Sequence, residues 1–218
     1  MSKNAEGSLE VAHGAEQFLK LEPRLVEIAE IEVRSVMNID SSNATPENWQ
    51  QIALAISDEY EKYDGFLITH GTNTMAYAAS ALSFALQNIG KPVVLTGAQI
   101  PAEIISTDGR NNLVNALRVC TLDISGVFVV FGSKIIMGVR SKKISESDLE
   151  AFATFNATDF GRISIGIELK GQVKTRQLGA LNLVNTFDRN VVCLTMIPGI
   201  QADFLVKLID GGAKGLIL

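Results

Sequence analysis

Long apolar runs are missing from this chain. None of its 218 residues lies in an uncharged apolar stretch approaching the roughly 18 residues needed to span a bilayer. The opening MSKNAEGSLEVAHGAEQFLKLEP mixes charge with short apolar steps instead of forming the continuous core of a secretory signal. A soluble, cytoplasmic protein without a membrane partner is expected. Basic clusters are missing too: nothing exceeds the SKK of residues 141–143, and 19 Lys and Arg face 24 Asp and Glu for a net charge of -5. Nucleic acid is therefore not an expected partner. The two cysteines, Cys120 in ALRVCTL and Cys193 in NVVCLTM, each sit in the apolar context of a buried free thiol, and neither has a nearby His or Asn pattern suited to a thiol nucleophile. With two histidines, no metal cluster can be assembled from imidazoles. Neither GxSxG nor GxxxxGK[ST] occurs, which removes the usual serine-hydrolase and P-loop readings. Repeats and low-complexity segments are absent, and the polar residues 1–8 are the one stretch expected to be disordered.

What is present is a 47% hydrophobic composition, enough for one substantial core, distributed in alternating strand-like and helix-like segments. VEIAEIEVRSV (26–36) is β-branched and partly alternating, so it reads as a strand. Thr45 and Pro46 open a helix expected to run through Tyr63. GFLIT (65–69) and PVVLT (92–96) are short apolar strands flanking a helix whose Met75, Ala78, Ala79, Leu82 and Leu86 repeat at three and four. A further helix is expected over about 109–121, and GVFVVF with KIIMG form a hairpin around GS. RISIGIEL and NVVCLTMI read as strands, QADFLVKLID as a helix and AKGLIL as a last strand, with the chain stopping inside that apolar strand at Leu218. Such an alternation predicts a doubly wound, mainly parallel α/β sheet.

In such sheets ligands collect at the carboxyl ends of strands, where loops bring polar groups and helix N-termini bring free N–H donors. Three stretches end strands in this way: DSSN (40–43), THGTNT (69–74) and TGAQIP (96–101). A fourth, GVRSKK (138–143), brings Lys142 and Lys143. A lysine beside a threonine hydroxyl can take its proton and make a nucleophile. Each element also has a plainer reading. Thr72 and Thr74 are residue types that cap helices, His70 suits a turn or packing role, and the two lysines suit a solvated surface pair.

Taken together, DGFLITHGTNTMAYAASALSF, GKPVVLTGAQIP, STDGRNNLVNAL and GVRSKK resemble, in order and spacing, the bacterial-type L-asparaginases, most closely the cytoplasmic type I branch. The resemblance runs from about residue 26 to Leu218, so residues 9–218 are expected to form the N-terminal domain of such an enzyme, without its first strand and without its C-terminal domain. It implies hydrolysis of L-asparagine to L-aspartate and ammonia by threonine chemistry, with no metal or organic cofactor, in a homo-oligomer. Residue by residue, it makes Thr72 the second active-site threonine and Lys143 its lysine partner. It gives Asn73 the position of the acid that binds the substrate α-ammonium, and Ser41 with Ser42 the α-carboxylate. Ala98 then falls in the loop whose backbone approaches the amide. Two departures accompany it. The family pattern His-Gly-Thr-Asp-Thr-Met has Asn73 for its acid, so a charge-assisted hydrogen bond becomes an ordinary one. The family strand ending in Gly-Gly-Thr-Ile, which carries the attacking threonine, has no counterpart in this sequence. The alternative to an asparaginase is therefore a catalytically inactive asparagine- or aspartate-binding or subunit-interaction module.

Overall fold

The computed structural model describes residues 2–3, 9–10, 22–101, 104–170, 173–177 and 179–218. The disorder expected for residues 1–8 falls mostly outside that set; within it, β1 (Ser2–Lys3) pairs antiparallel with β2 (Leu9–Glu10). The chain divides into two compact units, Met1–Asn185 and Thr186–Leu218.

In the first unit the uninterrupted apolar runs become the sheet. β3 (Phe66–Thr69), the two-residue β4 (Leu86–Gln87), β5 (Pro92–Thr96), β6 (Gly126–Phe131) and β7 (Lys134–Met137) follow in order. β8 (Ser141–Lys143), β9 (Phe152–Thr154), β10 (Gly161–Ile163), β11 (Ile167–Leu169) and β12 (Asn182–Leu183) come next among the unit's described residues. Its main sheet has six strands in the order β11-β10-β7-β6-β5-β3. β3, β5 and β6 run parallel, and β6, β7, β10 and β11 continue as an antiparallel meander. The sheet is thus mixed, with its parallel strands where helices cross over. Small pairs β8–β9 and β4–β12 lie outside it.

Among the described residues, three α-helices serve this unit: α1 (Pro46–Asp58), α2 (Met75–Ala85) and α3 (Gly109–Cys120). Side chains alternate along a strand, so each face of the parallel strands offers its own apolar set. Val94, Phe128 and Val130 pack with Leu113, Ala116, Leu117 and Cys120 of α3. On the opposite face, Val127 lies against α2, whose Met75, Ala78, Ala79 and Leu82 are fully buried. Register places Val93 opposite Val127 and Leu95 opposite Val129, so these four share that face. Helices therefore cover both sides of the parallel strands, and each large apolar side chain so enclosed contributes about 1.5–3 kcal/mol. Thr45 holds the start of α1, its backbone N–H donating to Asn48 Oδ1 at 2.8 Å, with proline in the first turn.

The second unit is a single strand-helix-strand: β13 (Val191–Cys193), α4 (Ala202–Asp210) and β14 (Gly215–Ile217), the two strands parallel. Among the described residues, no helix is long and apolar enough to cross a membrane.

Four local expectations give way. Residues 26–36 form no strand: Pro23–Glu27 is a 3-10 turn, and the following residues make no ladder, with Val33 and Val36 facing solvent. Partial alternation does not supply a pairing partner. α1 stops at Asp58, not Tyr63, because Tyr60 turns inward, stacks on Phe66 at 6.3 Å and accepts a hydrogen bond from Gly90 N at 2.7 Å. RISIGIEL is not one strand but the hairpin β10–β11, folded where Ser164 N donates to Gly166 O at 2.8 Å. Both cysteines are free, yet only Cys120 is buried; Cys193 is exposed.

Candidate active site

Three segments meet at the carboxyl ends of β3 and β5, and two glycines let them do so. His70 N donates to Thr96 O at 2.8 Å, extending the β3–β5 register by one residue. A Cβ at Gly71 would lie 2.5 Å from Ser41 Oγ, and one at Gly97 would lie 2.3 Å from His70 O. Neither approach is open to a residue with a side chain. Ser41 and Ser42 start the 3-10 turn Ser41–Asn43, fixed by the Asp40 carboxylate accepting from Ser42 N at 2.8 Å. Thr74 Oγ1 donates to Ser41 O at 2.7 Å, and Asn73 Nδ2 donates to Ser42 Oγ at 2.9 Å. Thr74 precedes α2 but makes no side-chain cap, and no acidic side chain lies in the first turn. The Thr74 hydroxyl is spent on the neighbouring loop, not on capping the helix, whose positive end stays available to an anion.

Lys143 reaches the same place from β8. That strand follows the 3-10 turn Gly138–Arg140, which packs so closely on α2 that a Cβ at Gly138 would fall 2.9 Å from Ala79 O. Lys143 pairs with Phe152, whose buried ring lies 4.9 Å from that of Phe131, so the strand is anchored to the core. Lys143 Nζ donates to Thr72 Oγ1 at 3.0 Å and to Asn73 Oδ1 at 2.9 Å, and forms an ion pair with Glu146. The Lys143 side chain is 10% exposed and Thr72 is 8% exposed. Lys142 points elsewhere, its Nζ 5.1 Å above the Phe155 ring.

The loop after β5 is held from behind. The Asp108 carboxylate accepts from Gln99 N and Ile100 N at 3.0 Å and from Asn112 Nδ2 at 2.9 Å. Asn112 Nδ2 also donates to Gly97 O at 2.9 Å, while its Oδ1 accepts from Gly132 N at 2.9 Å. Ala98 is half-buried within this braced loop. Of the residues expected at the site, Ser41, Ser42, Thr72, Asn73 and Lys143 are joined through hydrogen bonds or direct packing, and Ala98 is next to Gly97, which packs on His70. His70 is held in a turn, its ring Nδ1 2.8 Å from Gly71 O, and burial lowers its pKa from 6.5. Ser41 Oγ is buried with no hydrogen-bond partner, an uncommon state for an inward-facing hydroxyl.

Glu146, Asp40, Asp108 and Asn112 join the site without having been expected there. The signal for the last two lies in STDGRNN, a polar cluster at a helix start; for Glu146 there is none, since its partner is set by the loop's path. Among the described residues, no group of three or more His, Cys, Asp or Glu side chains is placed to hold a metal ion.

A family model described as asparaginase, N-terminal, matches residues 1–175. L-asparaginase 1 of Escherichia coli K12 is 36% identical over the whole chain, which spans 66% of that protein's length. The solved structure of the thermostable L-asparaginase from Thermococcus kodakarensis superposes with a TM-score of 0.86 at 31% identity, over 99% of this chain and 65% of that one. A subunit of the glutamyl-tRNA(Gln) amidotransferase of Pyrococcus abyssi is 30% identical over 97% of the chain, the match covering 51% of that subunit's length. The family-model match and the Escherichia coli match both begin at residue 1, ahead of the motifs that start near residue 26.

Proposed function

Because the chain belongs to the asparaginase family, we propose that this site takes L-asparagine and hydrolyses its side-chain amide to L-aspartate and ammonia through threonine chemistry. In that reaction a threonine hydroxyl adds to the amide carbon, ammonia leaves carrying the hydroxyl proton, and water releases the acid. The observation that carries the reading is Lys143 Nζ at 3.0 Å from Thr72 Oγ1, with both groups shielded from solvent. The unpartnered Ser41 hydroxyl and the uncapped start of α2 suit the ligand's α-carboxylate, and Asn73 Oδ1 suits its α-ammonium. The same reading carries a cytoplasmic homo-oligomer, for which light scattering showing a monomer at high concentration would count against the assembly.

A specific observation favours a second reading, a pocket that binds asparagine or aspartate without turnover. Lys143 Nζ already has three acceptors, Thr72 Oγ1, Asn73 Oδ1 and the Glu146 carboxylate, which is the full donor count of an ammonium. An amine so engaged has no lone pair for the Thr72 proton. Ammonia release from L-asparagine, run beside calorimetry with L-aspartate, decides between the two. Turnover that falls about 100-fold or more in Thr72→Val supports the hydrolase. Binding without turnover supports the pocket, and neither binding nor turnover removes both.

A further inference from the structure

Lys143 needs an anion. Its side chain is nine-tenths removed from water, and a cation in that position is costly unless paired. Among the described residues, the carboxylate that meets it is Glu146. Asn73 contributes no charge, and each end of its amide already has one partner: Oδ1 accepts from Lys143 at 2.9 Å and keeps a second lone pair, while Nδ2 donates to Ser42 Oγ at 2.9 Å. Asp40 is turned to the backbone of Ser42, and Asp108 to Gln99, Ile100 and Asn112. The negative charge available at the mouth of this site therefore comes from Glu146, on the loop that follows β8. Its side chain is 79% exposed while the lysine it touches is enclosed, so the carboxylate stands at the rim with lone pairs free to turn toward an incoming group.

We propose that Glu146 is a specificity-determining residue of this site: it neutralises Lys143 and receives the ammonium of an α-amino acid ligand, supplying the charge that Asn73 does not. The inference rests on the ligand reading given above. It selects zwitterionic amino acids over plain dicarboxylates, since the latter bring anions to a rim that already has one.

The test compares L-aspartate with succinate, which keeps both carboxylates and lacks the ammonium. In Glu146→Gln the affinity for L-aspartate relative to succinate falls about tenfold, the loss of one charge-assisted hydrogen bond. Asn73→Asp in the Glu146→Gln background returns the preference. A role confined to ordering the 144–149 loop would weaken both ligands together, and that result, or an unchanged ratio, overturns the proposal. If the parent chain binds neither ligand, the ligand reading fails by itself, and a ligand-free double-mutant cycle then decides on Glu146. While Glu146 is on Lys143, a carboxylate introduced by Asn73→Asp meets a like charge; once Glu146→Gln removes that charge, the introduced carboxylate has the lysine to itself. The melting temperature of the double variant should exceed the sum of the single shifts by about 2–4 °C. Additive shifts reject the pairing.

Discussion

The parallel strand-helix-strand motif occurs in both units, and comparing β5-α3-β6 of the first with β13-α4-β14 of the second shows what covering layers do. In β5-α3-β6 all five residues of β5 and five of the six in β6 are buried, because helices lie on both faces of the sheet and further strands flank it. In β13-α4-β14 no residue is buried, and Phe204, Val206 and Ile209 of the helix face solvent. Local pattern is equally clear in both. What separates them is the number of layers: one helix on two strands encloses neither of its own faces, whereas a sheet flanked by α2 and α3 encloses both. The site belongs to the unit with the enclosed sheet. Its loops need fixed roots, and β3, β5 and β8 provide them through the ladder and through Phe152.

The largest expected effect is the difference between equivalent truncations in the two motifs. Phe128 is 1% exposed and Phe204 is 57% exposed. Phe128→Ala should cost about 3–5 kcal/mol, through lost transfer energy and a cavity between β6 and α3. Phe204→Ala should cost less than about 1 kcal/mol. Denaturant unfolding of both variants measures this, and native-state hydrogen exchange should show amides of 93–95 and 127–130 exchanging far more slowly than those of 191–193 and 215–217. Equal losses for the two phenylalanines would break the comparison at its base.

The legible parts of the molecule follow the same division. Apart from RISIGIEL, which turns back on itself, segments that carry their own signal fold as that signal implies. The hairpin β6–β7 closes around Gly132 and Ser133, and Gly132 there takes a positive φ of 57°. The apolar stripe of α2 is buried as its spacing implies, and Pro46 opens α1. Where the deciding partner lies far along the chain, the sequence is silent or misleading. Residues 26–36 have strand-forming side chains but no strand beside them, and Cys193 has apolar neighbours but no covering layer. At the site, Thr72, Asn73, Ser41, Ser42 and Lys143 are identified through a family resemblance; local pattern alone leaves capping and surface roles open for Thr72 and Lys143. Asp108 and Asn112 lie in the polar STDGRNN cluster, but their partners are set by the fold, and Glu146 acts through a contact that neither route indicates.

An intermediate effect comes from one polar side chain inside the enclosed motif. Asn112 joins Gly97 O, Asp108 and Gly132 N, so it ties the site loop, α3 and the β6–β7 turn together. Asn112→Ala leaves those groups without it in a buried position and should cost about 2 kcal/mol. Asn190 in the second unit also bonds an aspartate, its Nδ2 2.8 Å from Asp188, but on the surface. Asn190→Ala should stay within about 0.5 kcal/mol. Melting curves for the pair of variants check the contrast, and a mild Asn112→Ala would mean that water replaces its hydrogen bonds.

The smallest expected effect separates the two units by pH. His70 sits at the end of β3, where burial lowers its pKa from 6.5 and the hydrogen bond with Gly71 O only partly opposes this. The folded state therefore resists protonation more than the unfolded chain does. Between the unfolded value and the lower folded one, the unfolded state binds more protons, so stability is complete above about 6.5 and declines as pH falls below it. The second histidine of the chain is His13, and the unit formed by residues 186–218 contains none. Lowering pH from about 7.5 toward about 5.5, a window that brackets the ordinary histidine value, should thus reduce hydrogen-exchange protection at Phe66–Thr69 and Pro92–Thr96. Val191–Cys193 and Gly215–Ile217 should stay unmoved once the intrinsic exchange rate is divided out. His70→Gln, which keeps a side chain able to donate to Gly71 O, should abolish the acid-side decline in the first set. If the decline survives that substitution, the titrating group is not His70, and the enclosed end of β3 is not the source of the chain's acid sensitivity.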